Sequence, residues 1–351
     1  MPNSTQDPFV AWIQQRLPDA HDIQVTPFRA ASSGQSNETK LFDLTYRMPE
    51  LKTEGLVLRR APGGRGLFPE YDLDMQVGVM RALAATRVPV PVVRWYEPDN
   101  AVLGAPFVVM EFIDGAIPSD LPPGFHGHGL FFDAPIERRQ TMWYAVMQRM
   151  VELHALNWRV LGLPQLPGIG DTMQESMASH LALFERWLKW ADLGALPLIE
   201  QGLQWLRDTP PQASRLSLLW GDARPGNVIF REHRAVAVLD WELATIGRPE
   251  FDLFYLIYQA EVTAERDGQP RRAGMPDRND TLKKYSQLAG RKLEDLVHAE
   301  MFALVRLAVM IALGVRAAIN DRQSRAYLED NVVMRSLRSL LAMAATQRRS
   351  T

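Results

Sequence analysis

Two short segments in the second half of the chain restrict its fold more than any other feature. They read Leu219-Trp-Gly-Asp-Ala-Arg-Pro-Gly-Asn-Val-Ile-Phe230 and Val238-Leu-Asp-Trp-Glu242. Apolar runs at 216–220, 228–230 and 235–239, separated by polar turns, are typical of strands. The spacing of 18 residues between Asp222 and Asp240 suits one hairpin. We therefore predict that Asp222, Asn227 and Asp240 share a pocket.

These residue types in this arrangement suit phosphoryl transfer. That reaction needs a carboxylate to orient the attacking hydroxyl and accept its proton, and oxygen ligands to hold Mg²⁺ against nucleotide phosphates. Asp222 follows a strand, and Gly221 before it permits a close approach of the backbone. Asn227, five residues later, and Asp240, at the end of the next strand, can bring further side-chain oxygens to the same cleft.

On these residues the chain resembles the aminoglycoside phosphotransferase superfamily, whose catalytic loop reads H-G-D-x-x-x-x-N and whose metal motif reads I-D-W-E. That superfamily includes choline kinases and other small-molecule kinases and is distantly related to the protein kinases. The resemblance implies ATP and Mg²⁺ as cofactors and a hydroxyl of a small molecule as acceptor. It implies that Asp222 is the base, that Asn227 and Asp240 bind magnesium, and that Asp252 braces the loop.

Three further parts resemble the family's nucleotide site. Ser33-Gly-Gln-Ser-Asn-Glu-Thr39 is similar to the covering loop G-G-x-S-N-x-T, which implies phosphate contacts from Gly34, Ser36, Asn37 and Thr39. Arg59 stands in register with the lysine that pairs with the α- and β-phosphates. The hinge, whose backbone hydrogen-bonds the purine, corresponds to Met110, Glu111, Phe112 and Ile113.

Three positions depart from the family pattern. Arg59 replaces the lysine and keeps its charge, but a guanidinium is bulkier and directs its donors differently. Gln76 occupies the place of the acid that pairs with that lysine, with Asp72 and Asp74 nearby, and the sequence does not choose between them. Trp220 replaces the histidine before Gly-Asp, where an aromatic ring can serve as a scaffold. These departures motivate the alternative of a nucleotide-binding pseudokinase with a regulatory role; a sugar or amino-alcohol kinase is a further alternative.

The pattern along the chain predicts an α+β, bilobal, protein-kinase-like fold. We expect a small β-rich nucleotide-binding lobe over residues 1–113, with strands near 40–46, 55–60 and 104–112 and a helix near 71–86. A Gly-, Pro- and His-rich linker follows at 114–135. We expect a catalytic and substrate-binding helical lobe over residues 114–351, with long helices near 139–157, 177–193 and 294–319.

Composition narrows the class of protein further. The chain of 351 residues has a net charge of −2, which gives no reason to expect nucleic acid as a partner. It has no cysteine, which excludes disulfides and thiolate chemistry. We see no signal peptide, and Arg306 and Arg316 interrupt the most apolar stretch, so we expect a cytoplasmic protein without membrane contact. The oligomeric state is not predicted.

The acceptor is the least constrained part of the prediction. From residue 266 onwards, 16 basic residues stand against 9 acidic ones, which disfavours a polycation such as an aminoglycoside. Among the arginines there, Arg306, Arg316, Arg322 and Arg325, any single one is expected to lie on a solvated helix face. The sequence of the Asp-Trp-Glu segment also resembles the branch of the family associated with acyl-CoA dehydrogenases. This resemblance implies a hydroxylated acyl thioester as acceptor.

Several residues that suggest other chemistry are better explained structurally. His126 and His128 lack a nearby third ligand at metal-binding spacing, so we place them in the linker. His154, in a segment that resembles the family's L-H-x-x-x-W helix end, is expected to be structural. Trp187 and Trp190 are expected to fill the core of the helical lobe.

Overall fold

A helix and an antiparallel sheet make up the first part of the described structure. In this computed structural model, the structure describes residues 6–30, 38–61, 66–211, 215–318 and 322–350. Helix α1 (Gln6–Arg16) precedes the strands β1 (His21–Val25), β2 (Arg29–Ala30), β3 (Glu38–Arg47), β4 (Leu51–Arg60), β5 (Val93–Glu97) and β6 (Phe107–Glu111). Their order in the sheet is β1-β3-β4-β6-β5, with β2 paired to β3.

Alternation along β3 explains how the sheet is covered. Phe42, Leu44 and Tyr46 point to one face and are buried, because successive side chains of a strand leave on opposite sides. Helix α1 packs on that face through Phe9 and Trp12. This cluster is an apolar core separate from the one that continues into the helical part. The sequence prediction did not include α1.

Helix α2 (Leu73–Leu83) packs against β5 and β6. Asp72 caps its first turn, since its carboxylate accepts the N–H of Met75 at 2.8 Å. The apolar positions along α2 face inward and belong to the large core that extends into the helical lobe. The helix therefore rests between the sheet and the helices that follow.

The rest of the chain is mainly helical. The helices are α3 (Gly124–Gly127), α4 (Gly129–Asp133), α5 (Ile136–His154), α6 (Met173–Ala191), α7 (Pro197–Asp208), α8 (Pro249–Arg266), α9 (Arg278–Ala289), α10 (Leu296–Ala317), α11 (Arg322–Glu329) and α12 (Val332–Ser350). Helix α6 begins with a capping box, in which Thr172 and Glu175 each accept a backbone N–H near the start of the helix.

Helix α10 forms the centre of this lobe. It contacts α6, α7, α8 and α12. By length and composition alone its 22 residues could cross a membrane, but 78% of the apolar stretch is buried inside the protein. The helix lies within the range 294–319 that the sequence predicted, and its neighbours account for its apolar character.

Two small sheets interrupt the helices. Strand β7 (Ser217–Leu219) pairs with β10 (Thr245–Gly247), and β8 (Val228–Arg231) pairs with β9 (Arg234–Val238). The two pairings bring the segments after β7 and after β9 together. The sequence prediction contained β7, β8 and β9 but not β10.

The hairpin of β8 and β9 is tied to both the linker and the first lobe. Ala116 and Phe230 exchange two backbone hydrogen bonds of 2.8 Å. The N–H of Val238 donates to the carbonyl of Pro89 at 2.8 Å. These bonds hold the hairpin under the sheet, at the junction of the two parts of the chain.

The α+β, kinase-like fold class is confirmed by this architecture. The long helices predicted in the second half correspond to α5, α6 and α10. The linker contains two short helices, α3 and α4, where the sequence predicted only loop. The division of the chain at residue 113 remains a prediction.

Candidate active site

Asp222 is held at the end of β7 by three side chains. Only 6% of its surface is exposed. Tyr255 on α8 donates to Oδ1 at 2.7 Å. Arg224 Nε and Asn227 Nδ2 both donate to Oδ2, at 2.8 and 2.7 Å. These bonds fix the direction of the carboxylate, which is the first requirement for a group that orients a substrate.

The charges around Asp222 keep it ionised. Burial by itself raises the pKa of Asp222, but the Arg224 guanidinium and the hydrogen bonds donated to the carboxylate outweigh it, so the pKa is lowered. Burial and the Asp222 charge raise the pKa of Tyr255 well above its ordinary value. Tyr255 therefore stays a hydrogen-bond donor at physiological pH. Arg224 also pairs with Asp120 in the linker.

A second carboxylate supports the loop from below. Asp252 accepts the N–H of Trp220 at 2.7 Å and the N–H of Gly221 at 2.9 Å. His154 contacts the same carboxylate through Nε2 at 3.0 Å and reaches the Tyr285 hydroxyl through Nδ1 at 2.6 Å. These contacts agree with the bracing role expected for Asp252 and the structural role expected for His154.

Gly221 is required by both conformation and space. Its φ of +85° lies in the left-handed region that favours glycine. A Cβ at this position would stand 1.8 Å from the carbonyl oxygen of Leu243. The close approach of these two backbones brings the loop before Asp222 against the segment after Asp240.

Asn227 and Asp240 lie at the open end of the β8–β9 hairpin. Val228 pairs with Val238, so the residues just outside this pair are neighbours. The N–H of Leu239 donates to the carbonyl of Asn227 at 2.8 Å, and Trp220 Nε1 donates to the carbonyl of Leu239 at 2.8 Å. Trp220 thus supports the loop as a scaffold. Asp240 follows directly, with a φ of +62°.

The side chains of Asn227 and Asp240 fit a magnesium site that phosphates complete. Because Nδ2 of Asn227 is directed at Asp222, its Oδ1 is the atom left to face a cation. Within the described residues no cluster of three or more His, Asp or Glu side chains could hold a metal by itself. Mg²⁺ is often bound by one or two protein oxygens together with substrate phosphates. The donors present suit that arrangement.

Arg59 reaches across from β4 to Asp240. Its Nη2 lies 3.5 Å from Asp240 Oδ1, and both side chains are mostly buried. Asp72 caps α2, and Asp74 lies near Tyr96, whose pKa is raised by burial and then by Asp74. Among the described residues the ion pair of Arg59 is with Asp240, not with an acid on α2. Gln76, at the place of the expected acid, is buried.

The predicted hinge runs along β6. The N–H of Glu111 donates to Val92, and the N–H of Phe112 donates to Gly55, each at 3.0 Å. In the described part of the chain no hydrogen bond engages the N–H of Ile113. Met110 is buried in the sheet between Val57 and Val93.

The predicted phosphate loop is described only at its end. Thr39 lies on β3 directly opposite Arg59 on β4. Gly34, Ser36 and Asn37 lie outside the described residues. Only Thr39 can therefore be placed, on the strand that pairs with the one bearing Arg59.

Sequence reasoning missed three side chains that contact Asp222 directly or through one partner: Tyr255, Arg224 and Asp120. Arg224 stands two residues after Asp222, inside the motif, and its charge beside a carboxylate was a usable signal. Tyr255 follows Asp252 by less than one helical turn. Asp120 is distant in sequence, and only the fold brings it near.

The four C-terminal arginines do not form one patch. The expectation of a solvated helix face is wrong for Arg306, which is 5% exposed. Arg316 stacks on Trp190 at 4.0 Å and donates to the carbonyl of Ala191 at 3.2 Å. Arg325 is exposed, and the side chain of Arg322 lies outside the described part. His126 is buried against the carbonyl of Ala260, away from any group of metal ligands in the described residues.

A small antiparallel sheet joined by a linker to a helical lobe, with Asp222, Asn227 and Asp240 at the junction, defines a kinase-like phosphotransferase fold. A model of the phosphotransferase enzyme family matches residues 27–288. The chain therefore belongs to this family.

Relatives agree with this assignment. Human acyl-CoA dehydrogenase family member 11 is 31% identical over 246 residues, which cover 67% of this chain and 30% of that protein. The chain spans less than a third of the length of the first such relatives.

Solved structures share the fold. An aminoglycoside phosphotransferase-like protein from Ralstonia eutropha superposes with a TM-score of 0.67 at 24% identity, covering 96% of each chain. An aminoglycoside phosphotransferase in complex with GDP and kanamycin superposes with a TM-score of 0.56 at 15% identity, covering 97% of this chain and 98% of that one.

Proposed function

We propose that this protein transfers the γ-phosphoryl group of ATP to a hydroxyl of a small molecule. The observation that carries the proposal is the shared position of Asp222 and Asn227, joined by a 2.7 Å hydrogen bond, beside the segment that presents Asp240. Family membership supports the reaction class. The structure of a related phosphotransferase with GDP supports the use of a nucleotide.

Asp222 acts on the acceptor in this proposal. Its carboxylate, ionised and held by Tyr255 and Arg224, orients the acceptor hydroxyl in line with the γ-phosphorus. The acceptor oxygen bonds to phosphorus as the bond from phosphorus to the β–γ bridging oxygen breaks. The hydroxyl proton passes to Asp222, and ADP leaves. Most of the rate comes from positioning and from charge neutralisation.

Asn227 and Asp240 are the proposed magnesium ligands. Bound Mg²⁺ neutralises charge that develops on the phosphate oxygens. For Asp240 to contact the metal, its ion pair with Arg59 must weaken. Arg59, freed toward the cleft, supplies the positive charge that a lysine supplies in most relatives of the fold. We further propose that the 34–39 loop covers the phosphates and that the backbone of 110–113 contacts the base.

We propose a hydroxylated acyl thioester as the acceptor class. The support is the similarity to acyl-CoA dehydrogenase family members, and the excess of basic residues after residue 266. The kanamycin bound by a structural neighbour is a polycation. The C-terminal region of this chain is basic, which disfavours a polycation as its acceptor.

The proposal is tested by following ADP release from Mg·ATP across a panel of hydroxylated acyl thioesters, sugars and amino alcohols. Asp222→Asn should abolish acceptor-dependent release while nucleotide binding stays unchanged. The matched control is Asp330→Asn, because Asp330 is exposed and pairs with Arg335. Equal turnover by Asp222→Asn and the wild type would contradict the assignment of the base.

One observation favours a second candidate, a nucleotide-binding pseudokinase. Both carboxylates of the site are engaged: Asp222 accepts three side-chain hydrogen bonds, and Asp240 pairs with Arg59. A protein that keeps these contacts after nucleotide binding holds ATP without turnover. Tight Mg·ATP binding with no ADP formed from any acceptor, and no effect of Asp222→Asn, would favour this candidate.

A further inference from the structure

A cavity beside the segment that follows Asp240 is lined by a buried arginine. It measures about 150 Å³ and lies between α2, α6, α10 and the segment 242–245. Pockets that bury a drug-sized ligand are roughly 300–1,000 Å³, so this space takes a chemical group rather than a whole molecule. Arg306, from the apolar core helix α10, lines it together with His180 and Thr245.

Arg306 is a buried cation with few hydrogen-bond partners among the described residues. It is 5% exposed, and a guanidinium has five N–H donors. In the part of the chain that the structure describes, its one hydrogen bond runs from Nη2 to the carbonyl of Leu243 at 3.3 Å, and Nε has no partner. No carboxylate of the described residues pairs with it. A buried charge normally has an ionic partner, because removing it from water is costly.

The neighbours of Arg306 do not replace that partner. Its guanidinium carbon lies 5.5 Å from the centre of the Tyr255 ring, a weak cation–π contact. His180 is neutral at physiological pH, since burial and the charge of Arg306 lower its pKa to about 4, and its Nε2 donates to the carbonyl of Ile246. Both contacts leave the positive charge uncompensated.

The acidic residues of the cavity lie elsewhere on its wall. Glu70 and Asp72 are exposed, and the carboxylate of Asp72 caps α2. Glu242 is near Tyr71. Burial raises the pKa of Tyr71, and the charge of Glu242 raises it further. The cavity thus has acidic residues toward α2 and one buried cation on α10.

We propose that this cavity binds an anionic group of the acceptor through Arg306. The inference rests on the proposed function, because Tyr255, which donates to Asp222, also lies beside the Arg306 guanidinium. A carboxylate and a phosphate have the same charge-assisted contact with a guanidinium, so the chemistry includes a hydroxy acid and the phosphates of an acyl thioester of coenzyme A.

The test measures binding by calorimetry, without nucleotide and again with saturating Mg·ADP, for three probes. These are 3-hydroxybutyrate, which carries a carboxylate; 3-hydroxybutyryl coenzyme A, which carries phosphates but no free carboxylate; and the neutral butane-1,3-diol. We expect one or both anionic probes to bind and the diol to bind at least tenfold more weakly. Their relative affinities identify which anion the cavity takes.

Arg306→Met should weaken binding of the preferred anion at least tenfold, and Arg306→Lys, which keeps the charge, should weaken it less. Arg316→Met is the matched control, because Arg316 is on the same helix but stacks on Trp190. Should Arg306→Met fail to fold, the wild-type comparison of anion with diol still decides the matter. Equal affinity of the wild type for diol and anions, or unchanged anion binding by Arg306→Met, would overturn the inference.

This outcome is separable from that of the proposed function. Failure of Mg·ADP to bind, or full activity of Asp222→Asn, would contradict the phosphotransferase proposal. The probe measurements without nucleotide do not depend on either result. Loss of anion binding in Arg306→Met with normal Mg·ADP binding would support the anion site alone.

Discussion

Arg224 Nε donates to Asp222 Oδ2 at 2.8 Å, while the other end of the same guanidinium pairs with Asp120 in the linker. The cation therefore joins the candidate base to the segment that connects the lobes. It also lowers the pKa of Asp222 against the opposing effect of burial.

Arg224→Met should move the acidic limb of the pH profile of kcat/KM upward. Without the guanidinium the pKa of Asp222 rises, so a higher pH is needed to keep the carboxylate ionised. At neutral pH the loss should stay below the ~10²–10⁴ expected when a base is removed. Arg234→Met, on an exposed pair with Glu232, is the control. An unmoved acidic limb would contradict this role of Arg224.

Asp252→Asn should destabilise the protein by about 1.5–3 kcal/mol, the range for hydrogen bonds to a charged group. The amide cannot accept both the Trp220 and Gly221 N–H groups as the carboxylate does. Chemical denaturation measures the change in the free energy of unfolding. Asp330→Asn, on an exposed pair, should change it by less than about 1 kcal/mol. Similar values for the two variants would show that Asp252 does not brace the loop.

Gly221→Ala should prevent stable folding or cost more than ~4 kcal/mol. It combines a left-handed backbone with a collision against the carbonyl of Leu243. Gly290→Ala separates the two effects, because Gly290 also has a positive φ but open space around it. That control should cost roughly 1–2 kcal/mol, the price of the conformation alone. Thermal unfolding of both variants gives the comparison.

Stability should fall as the pH drops below about 6.5. His126 and His180 are buried and their pKa values are lowered to about 4, so below the ordinary histidine pKa the unfolded chain binds protons that the folded chain does not. The loss by pH 5 should be about 2 kcal/mol for each histidine. His180→Gln, which keeps a donor for Ile246, should flatten the slope between pH 6.5 and 5. An unchanged slope would mean that His180 does not stay neutral in the folded state.

The sequence predicted the elements whose pattern is local. Strands β7, β8 and β9, helix α2 and the long helices α5, α6 and α10 all have clear periodicity or turns at their ends. Helix α1 was missed because its apolar residues serve only as a cover for the sheet, a role that depends on distant strands. Strand β10 has three residues and exists through its pairing with β7.

The candidate site shows the same difference between local motifs and contacts that only the fold creates. Asp222, Asn227, Asp240 and Asp252 stand in short motifs, which the resemblance to the family singled out. The contacts of Arg59 with Asp240, of Arg224 with Asp120 and of Arg306 with Tyr255 join residues far apart in sequence. Because Arg306 is charged, the sequence predicted that it lies on the protein surface. Helix α10 is instead the centre of the lobe, and Arg306 is buried there.

The magnesium dependence of ADP binding tests the central claim most directly. Calorimetry should show that Mg²⁺ strengthens ADP binding by the wild type and by Asp222→Asn alike. Asn227→Ala should reduce that strengthening, and Asp240→Asn should remove it, while ADP binding without metal remains. If Asp240→Asn and Asn227→Ala keep the full effect of Mg²⁺, these side chains do not hold the cation, and the site proposed at the end of the hairpin is wrong.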